Sequence, residues 1–133
     1  MSKWKLSKAE AQALQSLTSR LGQKVEAEVY TADPGADPTF DVGVSWAGGF
    51  VSQASFSLIE ATKLLMEELE RKASLWEAGI KESGTPYQKS RLASLSNRYP
   101  LYHCQQIMAA ESQGDKYYQA ALKAAQSRSG GDA

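Results

Sequence analysis

Phe40-Asp41-Val42-Gly43-Val44-Ser45-Trp46 runs through Gly48-Gly49 into Phe50-Val51-Ser52-Gln53-Ala54-Ser55-Phe56, and Ser57 follows at once with the signature of a helix start. Apolar and polar residues alternate with period two on both sides of the glycine pair, the pattern of two half-buried strands joined by a hairpin turn. Phe40, Val42, Val44 and Trp46 are predicted to share one face, with Phe50, Ala54 and Phe56 joining them from the next strand. Ser57-Leu58-Ile59-Glu60 has capping-box spacing, in which the serine hydroxyl caps the third helical amide and the glutamate reaches back to the cap amide. The helix it opens carries Leu58, Ala61, Leu65, Leu69 and Trp76 on one stripe, is expected to stop near Gly79, and can cover the apolar face of the sheet.

Upstream, Ser7-Lys8-Ala9-Glu10 repeats the capping-box spacing, Leu14, Leu17 and Leu21 fall on one helical face, and Gly22 supplies a left-handed terminator. Val25-Glu26-Ala27-Glu28-Val29 alternates as a third strand, and Asp33 to Pro38 is a turn-rich loop. Downstream, Thr85-Pro86 starts a helix, Tyr99-Pro100 interrupts it, and Gly114-Asp115 precedes a last alanine-rich helix that should fray from Ser127. The fold class is therefore α+β: an αβββα module with a three-stranded antiparallel sheet covered by helices, plus a C-terminal helical extension. Residues 1–80 are assigned to the module, 81–127 to the extension packed on it within one compact domain, and 128–133 to a flexible tail.

The 133 residues suit a single core. Hydrophobic residues at 42% and charged residues at 23% are ordinary for a soluble globular chain and argue against disorder. No apolar run approaches the roughly 20 residues of a membrane span, and residues 1–5 lack the apolar segment of a secretory signal. A cytoplasmic protein is expected. The single cysteine, Cys104, leaves a free thiol and no internal disulfide. Net charge is zero but uneven: residues 1–24 carry five cations against one anion, 25–80 three against ten, and 81–133 seven against four. An acidic centre disfavours nucleic acid as the partner of the sheet region, because phosphate binding depends on Lys and Arg.

Over roughly residues 7–78 the order helix, three strands, helix resembles the double-stranded RNA-binding domain. Gly35 and Pro38-Thr39-Phe40-Asp41-Val42-Gly43-Val44 look like that family's loop and second strand, and Ser57-Leu58-Ile59-Glu60-Ala61-Thr62-Lys63 occupies the place of its basic helix start. The resemblance implies the family's fold and a face for duplex RNA. Where the family keeps its phosphate-binding lysines, however, this chain has Leu58, Ile59 and Thr62, with Lys63 the only nearby cation. The family's minor-groove histidine is missing from the Asp33 to Pro38 loop, and Gln15 or Ser16 stands nearest the family's first-helix glutamate. The likeness thus supports the fold and weakens the activity, because function resides in a site.

No catalytic constellation emerges. His103 and Cys104 are adjacent, but neighbours on a helix point about 100° apart, so a buried thiol beside a surface or partly buried histidine is the expectation rather than a nucleophile and its base. Glu60, Glu67, Glu68 and Glu70 read as a solvated helix face, with Glu67 and Glu68 able to pair with Arg71 and Lys72. No metal spacing and no phosphate-cradling glycine motif appears, so no cofactor is expected. Cations mix with tyrosines from Lys81 to Tyr118, in a pattern that suits protein hot spots or base stacking, and equally a helical subdomain that packs with its tyrosines. Lys89, Arg91, Arg98, Tyr99, Tyr102 and Lys116 are the candidate partner-binding residues.

The sequence reads as a non-enzymatic protein-interaction module. Chains of this kind serve phages and mobile elements as inhibitors of a host nucleic-acid-processing complex. A nucleic-acid-binding protein using the C-terminal basic and aromatic helices is the alternative.

Overall fold

A computed structural model describes residues 5–31 and 35–131, with side chains described to residue 126. Trp4 and the Asp33-Pro34 part of the expected loop lie outside the described residues. The elements are α1 (Lys8–Leu21), β1 (Glu26–Tyr30), β2 (Thr39–Trp46), β3 (Gly49–Ser55), α2 (Leu58–Ser83), α3 (Pro86–Ser96), α4 (Leu101–Glu111) and α5 (Asp115–Gly131). The strands form one antiparallel sheet in the order β1-β2-β3. This is the α+β class that the alternation predicts.

One expectation within the sheet fails. Trp46 pairs with Gly49, Val44 with Val51, Val42 with Gln53 and Phe40 with Ser55, so Ala47 and Gly48 form the turn. Residues directly opposite share a face, so Val51, Gln53 and Ser55 join the core side, whereas Phe50 and Ala54 point the other way. Phe56, expected in the core, is 73% exposed, and Phe50 is 65% exposed. The even loop length decides this: a two-residue turn sets the even positions of β2 opposite the odd positions of β3, whichever two residues form it, and only a loop one residue longer or shorter would turn Phe50 and Phe56 to the core.

Both helix starts form where expected. Ser7 and Glu10 make the reciprocal capping box, and Gly22 ends α1 in the left-handed region with its N–H on the Thr18 carbonyl. At α2 only the serine half of the box forms, with the Glu60 N–H on Ser57 Oγ at 3.3 Å, because the Ser57 N–H is directed to Ser55 Oγ. α2 does not stop near Gly79 but continues to Ser83. A lone glycine costs a helix about 1 kcal/mol, which burial of Ile80 just beyond it offsets. The stop falls where Thr85 precedes Pro86, a residue pair that disfavours the helical region. α5 likewise persists to Gly131, past the expected fraying at Ser127, since nothing in the run removes a backbone donor or forces a left-handed residue.

α2 carries two cores. Its first half, with Leu58, Ala61, Leu65 and Leu69, closes over Phe40, Val42 and Val44 together with Leu17 and Leu21 of α1. Its last turns bring Ile80 to Leu92, Leu95, Cys104, Ile107 and Ala125 of the C-terminal helices, against which Trp76 is partly buried. The extension is thereby tied to the end of the helical layer. Two glutamines then clamp the hairpin tip: Gln106 Oε1 accepts from the Gly48 N–H, and Gln113 Nε2 donates to the Ala47 carbonyl at 2.8 Å. Among the described residues, the elements packed on the sheet lie on its helical side and no helix covers the opposite face.

Candidate protein interface

The six residues singled out in the basic and aromatic stretch separate into two groups. Tyr102 is 3% exposed and belongs to the first core, so it is not a surface contact. Tyr99 is partly buried against the second core. Arg91 is half-buried and committed within the protein: its Nε donates to Glu111 Oε1 and its Nη2 to the Tyr118 hydroxyl, with the guanidinium 5.8 Å from that ring's centre. Tyr87 donates to the other Glu111 oxygen at 3.0 Å. The Glu111 carboxylate holds the Arg91 pKa above, and the Tyr87 pKa above, their ordinary values. This network staples α3, α4 and α5 together. Lys89, Arg98 and Lys116 remain exposed. The tyrosines of this stretch that are buried pack helices, because an aromatic ring contributes more apolar area than any other residue at those positions.

His103 and Cys104 diverge from one another, as their helical spacing requires. His103, expected at or near the surface, is buried, with Nε2 3.2 Å from the Arg20 carbonyl. That carbonyl only accepts, so Nε2 carries the proton. Its ring meets Trp46 edge-on and tilts over Tyr102. Cys104 turns into the second core and donates weakly to the Tyr99 carbonyl at 3.5 Å. Burial pushes its thiol up to about 11, so at neutral pH it is protonated and inert. Native protein at pH 8 is expected to resist iodoacetamide and to react fully once unfolded; rapid native labelling would show that α4 is not seated as described. Because the folded thiol keeps its proton above the unfolded value of 9.0, its contribution to stability is complete below pH 9 and is lost as pH rises to about 11. The melting temperature should therefore fall more steeply across that window than it does in Cys104→Ala.

The charged face of α2 behaves as a solvated surface. Glu68 takes Arg71 through two bonds of 2.8 Å and Lys72 at 4.0 Å. Arg71 is the main cause of the lowered Glu68 pKa. Among the described residues no group of three or more His, Cys, Asp and Glu side chains could hold a metal ion, and no helix is long and apolar enough to cross a membrane.

The open face of the sheet has a different character. Parity places Glu26, Glu28 and Tyr30 of β1, Thr39, Asp41, Gly43 and Ser45 of β2, and Phe50, Ser52 and Ala54 of β3 on it. No lysine or arginine stands among these ten. Glu28 lies directly opposite Asp41, and like charges in that position destabilise a sheet by a few tenths of a kcal/mol or more. Phe50 lies diagonally over Gly43, its ring reaching to where a Cβ would stand on that glycine. Phe50, Tyr30 and, just beyond the strand, Phe56 are 65%, 50% and 73% exposed. Aromatic rings this open set among three carboxylates contribute nothing to the core. Sequence reasoning missed this surface because it assigned Phe50 and Phe56 to the buried side. The signal that could have found it is the pairing of Trp46 with Gly49 implied by a two-residue loop.

Comparison of the chain with protein-family models, curated proteins and solved structures found no match.

Proposed function

We propose that this protein is a non-enzymatic interaction module whose open sheet face docks on a basic surface of a protein partner, the kind of surface with which nucleic-acid-processing complexes hold phosphate. Docking there would occupy that surface and inhibit the partner. The observation that carries the reading is the combination of exposed Phe50 and Tyr30 with the unrelieved Glu28–Asp41 juxtaposition, which an incoming arginine would relieve. Planar cations stack on aromatic rings and pair with carboxylates, so one residue type answers both features.

Duplex RNA is the poorer partner. At the start of α2 Leu58 is buried, Ile59 is apolar, and Thr62 is buried with its hydroxyl on the Ile59 carbonyl at 2.6 Å. Lys63 alone projects there, too little for a phosphate clamp. A duplex of about 20 base pairs is expected to bind no tighter than the micromolar range at physiological salt, and Lys63→Ala should change nothing.

The test is capture of a partner from lysate of the source organism, with and without nuclease. Capture should survive nuclease, be lost in Phe50→Ser and Asp41→Lys, and persist in Lys89→Ala and Arg98→Ala, with all four variants melting within about 3 °C of the parent. Loss confined to Lys89→Ala and Arg98→Ala would move the site to the C-terminal helices. Loss on nuclease treatment would favour nucleic acid.

A further inference from the structure

β1 is an edge strand, and the groove beside it is apolar. Its outer edge pairs with no strand, and among the described residues no backbone bond joins Glu26–Tyr30 to any element other than β2. Ala27 and Val29 lie opposite Val42 and Phe40, both fully core, yet Ala27 is exposed and Val29 only half-buried. The reason is that α1 packs on α2 and α5 and stands off from β1. Between them lies an open cavity of about 500 Å³ lined by Leu6, Leu14, Val25, Val29, Phe40 and Leu58. Glu26 and Glu28 border it, with Lys24 at the Val25 end.

We propose that this edge and groove form a docking site for an extended segment of a partner protein in which apolar and basic side chains alternate. A row of unpaired strand amides and carbonyls is satisfied along its length only by another extended backbone. Residues of the added strand that neighbour Ala27 and Val29 point into the apolar cavity. Those that neighbour Glu26 and Glu28 emerge on the acidic face, where opposite charges stabilise cross-strand pairs. The same carboxylates oppose a second copy of this chain: antiparallel pairing of two β1 strands sets glutamates beside glutamates. Phosphate backbones are repelled on the same ground. The site borders the open-face interface proposed above and shares Glu26 and Glu28 with it, but it rests on the strand's edge and core-side groove and does not use Phe50.

The probe is a short, capped peptide of alternating valine and lysine. It should bind saturably and more weakly as salt rises, and slow amide exchange at residues 26–30. N-methylating the amides that face β1 should weaken it at least about tenfold, while methylating those of opposite parity leaves it unchanged. A valine–glutamate peptide should not bind. Ala27→Lys, which charges an exposed position, and Val29→Glu should each abolish binding without unfolding the chain. Phe50→Ser should leave it intact, so the outcome stands apart from that of the open-face test. No saturable binding, indifference to N-methylation, full affinity in Ala27→Lys, or protection appearing on β3 instead would overturn the proposal.

Discussion

Val44→Asp is expected to abolish folding at neutral pH, whereas Phe56→Asp, twelve positions on, should leave the melting temperature within about 3 °C of the parent. Val44 is 1% exposed, lies in the central strand opposite Val51, and has α2 closing over it. An ionised carboxylate there loses its hydration and finds no cation, a cost of several kcal/mol against a total stability of about 10 kcal/mol. The aspartate escapes partly by staying protonated, so its folded pKa lies above its unfolded one. Stability is then retained below the ordinary carboxylate range and lost as pH rises through the folded value. Thermal melts should therefore show Val44→Asp recovering toward pH 4 and Val44→Asn, equally polar but not ionisable, failing to do so. The Phe56→Asp arm tests the register itself: if Phe56 faced the helices, the two variants would fail alike.

That contrast shows what the chain announces and what it withholds. The strands, the serine caps at Ser7 and Ser57, the left-handed stop at Gly22 and the helix starts at Pro86 and Asp115 are local decisions, made by residues within one turn of one another. Each is therefore readable from a few letters. The face on which β3 buries its side chains depends on whether the loop holds an even or an odd number of residues, and the letters Ala47-Gly48-Gly49 allow a two-residue or a three-residue loop. The candidate interface was hidden by that one-residue difference in loop length. Gln106 and Gln113 were invisible for a different reason: their partners lie on the hairpin more than fifty positions away. Arg91 looked like a surface anchor because its acceptors, Glu111 and Tyr118, come from two other helices. Long-range polar contacts leave no periodic trace, so cations that serve the fold and cations offered to a partner carry the same letters.

Gly22 makes the same point in a form that can be measured. Sequence assigns it one task, ending α1, and its φ of 64° with the N–H on the Thr18 carbonyl confirms that task. For that alone, alanine would cost about 1 kcal/mol, the penalty of a left-handed residue with a Cβ. The structure adds a second requirement. A Cβ on Gly22 would stand 2.1 Å from the carbonyl oxygen of Ala124 and 2.7 Å from that residue's C and Cα, all backbone atoms of α5. No rotamer relieves a clash with a helix backbone, so α5 must move as a body, and Ala124, Ala125 and Ala121 leave the cores they fill. Gly22→Ala is accordingly expected to cost about 3–4 kcal/mol and to lower the melting temperature by about 10 °C or more. Gly35→Ala is the control: its φ of 85° is also left-handed, but no atom of the described residues lies within 4 Å of the new Cβ, so it bears the backbone strain alone. Hydrogen exchange should localise the difference, with amides 120–126 of α5 losing protection in Gly22→Ala while those of β2 keep theirs. Equal losses in the two variants would mean that α5 is not seated on the end of α1, and the C-terminal helices would then have to be held by α4 and the hairpin clamp alone.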